Sequence, residues 1–516
     1  MFSKKFLFLS LVVVGVLATG CRKEPKIKDE DKEKPLSPPV VTFNVSGGEA
    51  LGGRDVNTAR FASALRAADN SKNSALVKIL EDGTLESAIS ATVPDVKGVD
   101  EEYKKSVTNW GKLIDVFLPP KGSNCKDVYL LFDDITSFPA VDPEDSSVGG
   151  WSLSYLLAIH EDGTYTDILA DSPWRIANTP IDNRRNVQIA PDGSLYVLFR
   201  EGGGWEYYIR KYNPSTKAVS EICRFGRSAP MCEETKNWTE ADWSNNSVFV
   251  PKMKMSKDGK WAYIQVRMNQ NKEYIHVVSI DKPSVFTDIV LDTGSQYKYT
   301  CWDYDELSNK LYYLQITRDS SGEETSRIIY SADHDGKNQK VYKDLGTTLC
   351  YSLFAVEKNT QSATVWIRYG RGGLVGDPNS YEVFINAETF ISPEQMEKFE
   401  VPVKDGLSSL DDDIVKGKYI YMCCDGGEYD YELQHREKNA IVRVSMTDKT
   451  YIDYSKMLPE KENIKLYAWN VGDSKLYITG EDKDGKPVNY AINLNGTGTP
   501  QKIAEGQVFT CIGSLK

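Results

Sequence analysis

Residues able to carry out chemistry are few in this chain, and their spacing matches no common catalytic signature. Four histidines occur in 516 residues, too few to favour a haem, copper or multi-zinc enzyme. No Cys-x-x-Cys pair is present, so a zinc or redox motif lacks support. No Gly-x-Ser-x-Gly segment marks a serine nucleophile. We therefore expect no metal, no cofactor and no catalytic residue, and enzymatic activity is the less favoured reading.

Three acidic segments have a superficial likeness to cation sites. Residues 333–338 and 482–485 read better as hairpin turns than as calcium loops, because 333–338 has no bidentate glutamate in register downstream. Residues 411–413 read better as a solvated loop. Carboxylate pairs for glycoside hydrolysis stay open, since their spacing is set in space and not along the chain.

Aromatic and arginine side chains gather in the long segments between apparent strands, at 136–150, 171–186, 224–246, 370–380 and 425–438. Flat rings beside guanidinium groups suit a sugar or a protein partner, since both present apolar faces with polar edges. Packing beneath the loops is the alternative for each single residue. The candidate binding residues are Trp151, Trp174, Arg175, Arg184, Arg185, Trp238, Trp243, Arg371, Tyr429, Tyr431, His435 and Arg436.

The nine cysteines have different expected roles. Cys223 and Cys232 flank a short proline-containing loop, and a disulfide between them in an oxidising compartment is an even alternative to two free thiols. Cys301, Cys350 and Cys511 stand in similar contexts, YTCW, TLCY and FTCI, each at the start of a strand unit. There, a small buried hydrophobic residue is the preferred reading.

Net charge and composition exclude one class of partner. The formal net charge is −12 and the isoelectric point about 5.1, whereas nucleic-acid binding requires a basic surface. We therefore expect no nucleic-acid partner.

The elements that must position these residues are short strands in repeated four-stranded units. Residues 187–223 contain VQIA, the turn PDGS, YVLFR, YYIRKY and VSEIC, which predict an antiparallel meander. The segments LVKILEDGTLESAI and LLAIHEDGTYTDIL repeat one another, as do MKMSKDGKWAYIQV and VQIAPDGSLYVLF. A unit with two apolar faces must stack against copies of itself. The sequence therefore predicts an all-β fold, a single β-propeller of four-stranded blades.

The two ends of the chain are predicted to close the ring. Residues 508–515 form one unaccompanied strand, whereas ARFASALR, SALVKIL and LESAIS at 59–90 form three. Joining them completes an eighth blade and removes open sheet edges. Eight blades are favoured, with seven as the alternative.

The turns divide the ring into two different faces. The Asp-Gly turns at 82, 162, 192, 258 and 335 join first to second or third to fourth strands, and they are tight. The long segments named above fall mainly on the opposite face. Since long loops on a rigid frame carry most binding residues, we expect the functional surface there.

The N-terminus predicts secretion and a lipid anchor. Lys4 and Lys5 precede an apolar run at 6–18 that is too short for a transmembrane helix and is followed by Cys21. Leu17-Ala18-Thr19-Gly20-Cys21 resembles the bacterial lipobox, which implies diacylation of Cys21 after removal of residues 1–20. Residues 21–56 read as a disordered tether and 57–516 as the propeller. The acidic residues 29–31 are a plain linker or an export signal.

Two turn segments carry a family resemblance. IAPDGSLYVLF and MSKDGKWAYIQV resemble the repeat of TolB-type propellers. With the lipobox, the chain is similar to propeller-type cell-envelope lipoproteins of Bacteroidetes. The resemblance implies an outer-membrane lipoprotein, with its periplasmic or surface-exposed side left open.

Three functions follow as hypotheses. The first is a membrane-anchored, non-enzymatic scaffold that binds a protein or glycan through the long-loop face. The second is a secreted glycan-active hydrolase or lyase with a site at the mouth of the central channel. The third is a structural subunit of an export or fimbrial assembly.

Overall fold

The structure is a computed structural model whose described residues fall almost entirely in β-strands and the turns between them. It describes residues 40–45, 74–79, 85–91, 112–117, 119, 123–134, 152–160, 164–169, 176–177, 186–200, 206–226, 233, 235–239, 241–242, 248–268, 273–291, 301–348, 350, 352–371, 381–392, 395–402, 407–408, 414–430, 435–459, 464–471, 474–484, 486–503 and 511–514. Within these residues no helix is long and apolar enough to cross a membrane.

Five consecutive sheets, here sheets 2 to 6, are antiparallel meanders in chain order, as predicted. Sheet 2 has β4 (Lys112–Phe117), β5 (Val128–Asp134), β6 (Ser152–Ile159), β7 (Tyr165–Asp167) and a short β8 (Ile176–Ala177) beside β6. Sheet 3 has β9 (Val187–Ile189), β10 (Leu195–Arg200), β11 (Glu206–Asn213) and β12 (Ala218–Gly226). Sheet 4 has β13 (Val248–Met255), β14 (Trp261–Met268), β15 (Glu273–Ser279) and β16 (Phe286–Leu291).

The next two meanders complete this series. Sheet 5 has β17 (Trp302–Asp305), β18 (Lys310–Arg318), β19 (Glu324–Asp333) and β20 (Lys340–Asp344). Sheet 6 has β21 (Ser352–Asn359), β22 (Ser362–Arg371), β23 (Tyr381–Asn386) and β24 (Lys398–Pro402). First strands of neighbouring sheets lie side by side, as β9 does with β13 and β17 with β21. The meanders therefore stand around a common axis as the blades of a β-propeller.

Sheet 7 has nine strands in two consecutive meanders, so the number of blades depends on whether it is counted as one sheet or two. It has β25 (Leu407–Ser408), β26 (Ile414–Lys416), β27 (Tyr419–Asp430), β28 (His435–Ser445), β29 (Thr450–Asp453), β30 (Lys465–Val471), β31 (Lys475–Glu481), β32 (Pro487–Asn493) and β33 (Gln501–Lys502). Among the described residues, the meanders β26–β29 and β30–β33 share a single strand pairing, that of Lys438 with Leu466. Counted as hydrogen-bonded sheets the ring has seven, which is the predicted alternative. The favoured count of eight treated the two meanders of sheet 7 as separate blades.

Sheet 1 closes the ring from both ends of the chain, which confirms the predicted closure. Its strands are β1 (Val40–Val45), β2 (Ser74–Ile79), β3 (Leu85–Ala91) and β34 (Cys511–Ser514), in the order β3-β2-β1-β34. β34 pairs with β1 and lies beside β4 and β30. The strand next to β34 was misassigned, because the alternating VVTFNV of β1 lies inside the predicted tether 21–56. The predicted strand ARFASALR lies outside the described residues.

Apolar layers between neighbouring sheets hold the ring together. In β10, Leu195 and Val197 pack toward sheet 2, whereas Tyr196 and Leu198 pack toward sheet 4. Successive side chains on a strand point to opposite faces, so five consecutive apolar residues serve two layers at once. Each large apolar side chain buried in such a layer stabilises the fold by about 1.5–3 kcal/mol.

The tight turns also pack sheet against sheet, through their glycines. Gly193 (φ +86°) and Gly259 (φ +68°) follow aspartates in the turns before β10 and β14. A Cβ on Gly193 would lie 2.3 Å from Cys125 Cβ in the preceding sheet, and one on Gly259 would lie 3.3 Å from Ala190 Cβ. The Asp-Gly turn therefore serves both the local reversal of the chain and the close approach of neighbouring blades.

Substituting Gly193 with alanine tests this docking. Gly322 (φ +87°) is the matched control, because its Cβ would meet no atom within 4 Å. We expect Gly322→Ala to cost about 1–2 kcal/mol from the left-handed conformation alone. Gly193→Ala should lower the free energy of unfolding by the same amount plus about 1–3 kcal/mol more, because the new Cβ would clash with Cys125. Urea unfolding measures both values, and equal losses would show that the turn does not dock.

Candidate functional site

Among the described residues, ionisable side chains near the ring axis are used to join neighbouring blades. Lys254 on β13 donates to the buried carboxylate of Asp303 on β17, and the backbone N–H of Ala355 on β21 donates to the same carboxylate at 2.9 Å. Lys252 Nζ donates to the Trp302 carbonyl oxygen at 3.0 Å and lies 4.3 Å from the Trp302 ring centroid. Three consecutive first strands are therefore tied together by one carboxylate.

The electrostatics of Asp303 fit a structural ion pair. Burial acts to raise the pKa of Asp303, but the charges of Lys254 and Lys252 outweigh it, and the pKa is lowered from its usual range. Its neighbour Asp305 accepts hydrogen bonds from the backbone N–H groups of Leu307 and Ser308 at 2.9 and 3.0 Å. Both carboxylates on β17 are thus engaged by the protein itself.

A second buried cluster connects a hydroxyl, an imidazole and a carboxylate in the order of a catalytic nucleophile, base and acid. His160 Nε2 lies 2.9 Å from Thr166 Oγ1, and His160 Nδ1 lies 3.1 Å from Asp127 Oδ1. Tyr212 of sheet 3 donates to the other Asp127 oxygen at 2.6 Å, and its ring stacks on His160. His160 is only 3% exposed. Because a residue of the next blade completes the network, its role is to clamp sheet 2 to sheet 3.

A third cluster, a histidine–aspartate pair, holds the described part of one of the long segments against the ring. His276 Nδ1 on β15 lies 2.5 Å from Asp288 Oδ1 on β16. The backbone N–H of Glu233 donates to Asp288 Oδ2 at 3.0 Å, and Trp238 packs half-buried on the core between sheets 3 and 4. The segment that links these sheets is therefore fixed to sheet 4. This placement favours the packing alternative for Trp238.

The segment 425–438, predicted to be a long loop, is mostly a β-hairpin. β27 and β28 continue to Asp430 and His435, with register shifts around Asp425. Its two glycines, Gly426 and Gly427, fall within β27. We call residues 426–437 the β27–β28 arm.

Among the described residues, the flanking strands pair only with the base of the arm. Leu407 of β25 pairs with Asp425, and Leu466 of β30 pairs with Lys438. Beyond these pairs, the described residues of the two arm strands pair with each other. Tyr429 lies opposite Arg436, and Asp430 lies opposite His435. The arm extends about 10 Å along β28 past Lys438. It leaves the ring on the face opposite the tight turns.

The structure brings together only part of the predicted binding set. Tyr429, His435 and Arg436 lie on the β27–β28 arm, and Arg371 ends β22 on the same face. The remaining candidates lie outside the described residues: Trp151, Trp174, Arg175, Arg184, Arg185, Trp243 and Tyr431. The predicted lipidation site Cys21 also lies outside them.

Cys223 is a free thiol in the structure, and the disulfide considered with Cys232 stays a prediction. It lies on β12 opposite Ile209 and packs in the apolar layer between sheets 3 and 4. Burial raises the pKa of Cys223 to about 12. Its side chain is thus directed into the core, while Cys232 lies outside the described residues.

The acidic segment 333–338 forms the turn between β19 and β20. Gly336 has a φ of +78°, and Asp335 Oδ1 accepts from the Lys337 backbone N–H at 3.1 Å. Across the part of the chain that the structure describes, no group of three or more His, Cys, Asp or Glu side chains is placed to hold a metal ion. The hairpin interpretation of this segment is confirmed.

The lowered pKa of Asp303 predicts a specific dependence of stability on pH. A carboxylate whose pKa is lower in the folded state contributes stability above its unfolded pKa, and loses it as pH falls through the folded value. Asp303→Asn should reduce the free energy of unfolding by about 3 kcal/mol at neutral pH. The difference from the wild-type protein should shrink below about pH 4.

Asp448→Asn is the control, because Asp448 forms an exposed pair with Lys418, and exposed pairs contribute little to stability. Urea unfolding between neutral and acid pH measures all three proteins. A constant difference between Asp303→Asn and wild type across this range would contradict the assignment.

Comparisons with known proteins return distant structural neighbours. No protein-family model and no curated protein matches the chain. The β-propeller domain of the Trilobed protease from Pyrococcus furiosus is 10% identical, with a TM-score of 0.39, and the match covers 77% of this chain and 99% of that domain. Pyrococcus horikoshii acylaminoacyl peptidase is 9% identical, with a TM-score of 0.40, over 77% of this chain and 52% of the peptidase.

A third neighbour is Kuenenia stuttgartiensis hydrazine synthase, at 12% identity and a TM-score of 0.34, over 61% of this chain and 80% of that one. Among the neighbours is also a prolyl endopeptidase structure, of which this chain spans 41%. At such identities the function of this chain must be argued from its own residues.

Proposed function

We propose that the protein is a lipid-anchored scaffold of the cell envelope that binds a protein or glycan through its long-loop face. One observation carries the proposal: the β27–β28 arm is a hairpin between the second and third strands of its meander, and it continues beyond its described backbone pairings with β25 and β30. The arm contains Tyr429, Tyr431, His435 and Arg436. Tyrosine and arginine are enriched among residues that dominate binding energy at protein interfaces.

The backbone of the arm supports a protein partner in particular. A two-stranded arm presents the outer edges of β27 and β28 beyond Asp425 and Lys438, where their described pairing with β25 and β30 ends. An added strand from a partner can hydrogen-bond to such an edge, while side chains on the arm supply specificity. A glycan partner would instead stack on the aromatic rings.

The engagement of buried ionisable groups supports binding over catalysis. Among the described residues, Asp303 is held by Lys254 and Ala355, and Asp127 by His160 and Tyr212. The alternative of a glycan-active hydrolase or lyase at the channel mouth needs carboxylates that are free to meet a substrate. A structural subunit of an export or fimbrial assembly would use the same face as the scaffold.

The anchor is argued from the sequence. A positively charged start, a short apolar run and small residues before Cys21 are the pattern of a lipoprotein signal. Several acyl chains on one residue give stable membrane attachment where one chain would not. The outer membrane is the proposed location, in line with the resemblance to Bacteroidetes lipoproteins.

Removing the β27–β28 arm tests the binding proposal. Asp425 and Lys438 are paired across the hairpin, so residues 426–437 can be replaced by a two-residue Asn-Gly turn. Tagged full-length protein in solubilised native membranes, followed by mass spectrometry, should capture a partner at least about tenfold less without the arm. Probing both proteins on a glycan array covers the second class of ligand.

The control replaces Ser320 and Ser321, in the β18–β19 turn on the same face, by Asn and Gly, and it should keep the wild-type capture. Thermal unfolding confirms that both variants retain the ring. The binding proposal is lost if neither a protein nor a glycan shows arm-dependent binding. Glycan turnover by the purified protein would favour the hydrolase or lyase instead.

Replacing the lipidated residue tests the anchor. Cys21→Ser removes the thiol that would be acylated, so the protein should move from the membrane fraction to the soluble fraction. Incorporation of labelled palmitate should fall to background in the same variant. Cys223→Ser, which changes a buried thiol, should leave both measurements unchanged. Retention of the Cys21→Ser variant in membranes would overturn the lipoprotein assignment.

A further inference from the structure

Two cysteines occupy matching places in neighbouring blades. Cys301 immediately precedes β17, the first strand of sheet 5, and Cys350 stands just before β21, the first strand of sheet 6. β17 and β21 lie side by side and are joined by the hydrogen bond from Ala355 N–H to Asp303. The repeated architecture thus brings two thiols that are distant in sequence to one interface between blades.

The two thiols are in contact inside that interface. Cys301 is 2% exposed and Cys350 is 9% exposed, and both belong to the apolar layer between sheets 5 and 6. Both thiols are reduced in the structure, and the Cys350 thiol donates to the Ser352 carbonyl oxygen at 3.5 Å. The proximity of Cys301, together with burial, raises the pKa of the Cys350 thiol well above its usual value. The Cys301 carbonyl accepts from the Leu314 N–H at 3.0 Å, which fixes the backbone beside the pair.

We propose that Cys301 and Cys350 form a disulfide that covalently joins sheets 5 and 6. A disulfide-bearing oxidant, of which glutathione disulfide is the simplest, supplies the oxidising equivalents. One cysteine thiolate attacks a sulfur of the oxidant and releases one glutathione thiolate. The second cysteine thiolate then attacks the mixed disulfide, which forms the Cys301–Cys350 bond and releases the second glutathione. Two cysteine thiols lose two electrons and two protons, and one oxidant disulfide gains them.

The burial of the pair determines when the bond can form. The thiolate is the reactive species, and a raised pKa together with exclusion from solvent makes the folded thiols poor nucleophiles. Oxidation should therefore be efficient while the chain folds and slow once sheets 5 and 6 have closed. An oxidising envelope, where a secreted lipoprotein would fold, provides that opportunity. The bond itself is testable in vitro, independently of location and of the binding face.

Peptide mapping of the unmodified full-length chain tests the proposal. The protein, purified in detergent, is unfolded under reducing conditions and refolded in a mixture of reduced and oxidised glutathione. Remaining thiols are then alkylated, and trypsin places Cys301 in peptide 299–310 and Cys350 in peptide 344–358, each with a single cysteine. We expect these two peptides to be recovered joined, with the mass of two hydrogens lost, and to separate on reduction.

The stability of the oxidised and reduced forms gives a second measurement. A cross-link that restricts the unfolded chain should raise the unfolding temperature by roughly 5 °C. The gain should be absent in Cys350→Ala and retained in Cys223→Ser, which changes a buried thiol between sheets 3 and 4. Peptides 299–310 and 344–358 recovered fully alkylated after refolding, or joined to other cysteines, would overturn the proposal. In that case both residues act only as small buried side chains.

Discussion

The structure depends on the burial of both faces of every four-stranded meander. The strand β10 shows this constraint directly, since Leu195 and Val197 face one neighbouring sheet while Tyr196 and Leu198 face the other. A row of such sheets always leaves two uncovered faces at its ends, and only a closed ring removes them. The pairing of β34 with β1 meets that requirement, because it builds one sheet from both ends of the chain.

The same requirement explains where the buried charges lie. Asp303, Asp127 and Asp288 each accept hydrogen bonds from more than one segment of the chain. A buried carboxylate is tolerated only when it is paired and hydrogen-bonded, and at the boundary between blades it can meet donors from two or three strands. These groups therefore specify which blade lies beside which. Their full engagement directs the search for function to the edges of the ring.

Much of the fold follows from local sequence, whereas the cross-blade contacts do not. The hairpins LVKILEDGTLESAI and LLAIHEDGTYTDIL become the last two strands of sheets 1 and 2, because alternation and an Asp-Gly turn are local signals. β1 was missed because VVTFNV follows a charged, proline-containing segment. Gly426 and Gly427 concealed the β27–β28 arm. The pairing of Lys254 with Asp303 depends on the register between two blades, which no spacing in the sequence encodes. Of the candidate site, the residue types of Tyr429, His435 and Arg436 were visible in the sequence, whereas the hairpin that carries them was not.

The difference between the two faces of the ring is itself a consequence of packing. Gly193 approaches Cys125, and Gly259 approaches Ala190, so the tight turns of one blade rest on the blade before it. A longer turn at these places would separate the blades, and insertions are therefore excluded from that face. The turn between the second and third strands of a blade carries no such constraint, and in the first meander of sheet 7 it extends into the β27–β28 arm. Packing of the blades thus leaves the opposite face free to vary, and long loops on a rigid frame are where binding residues usually gather.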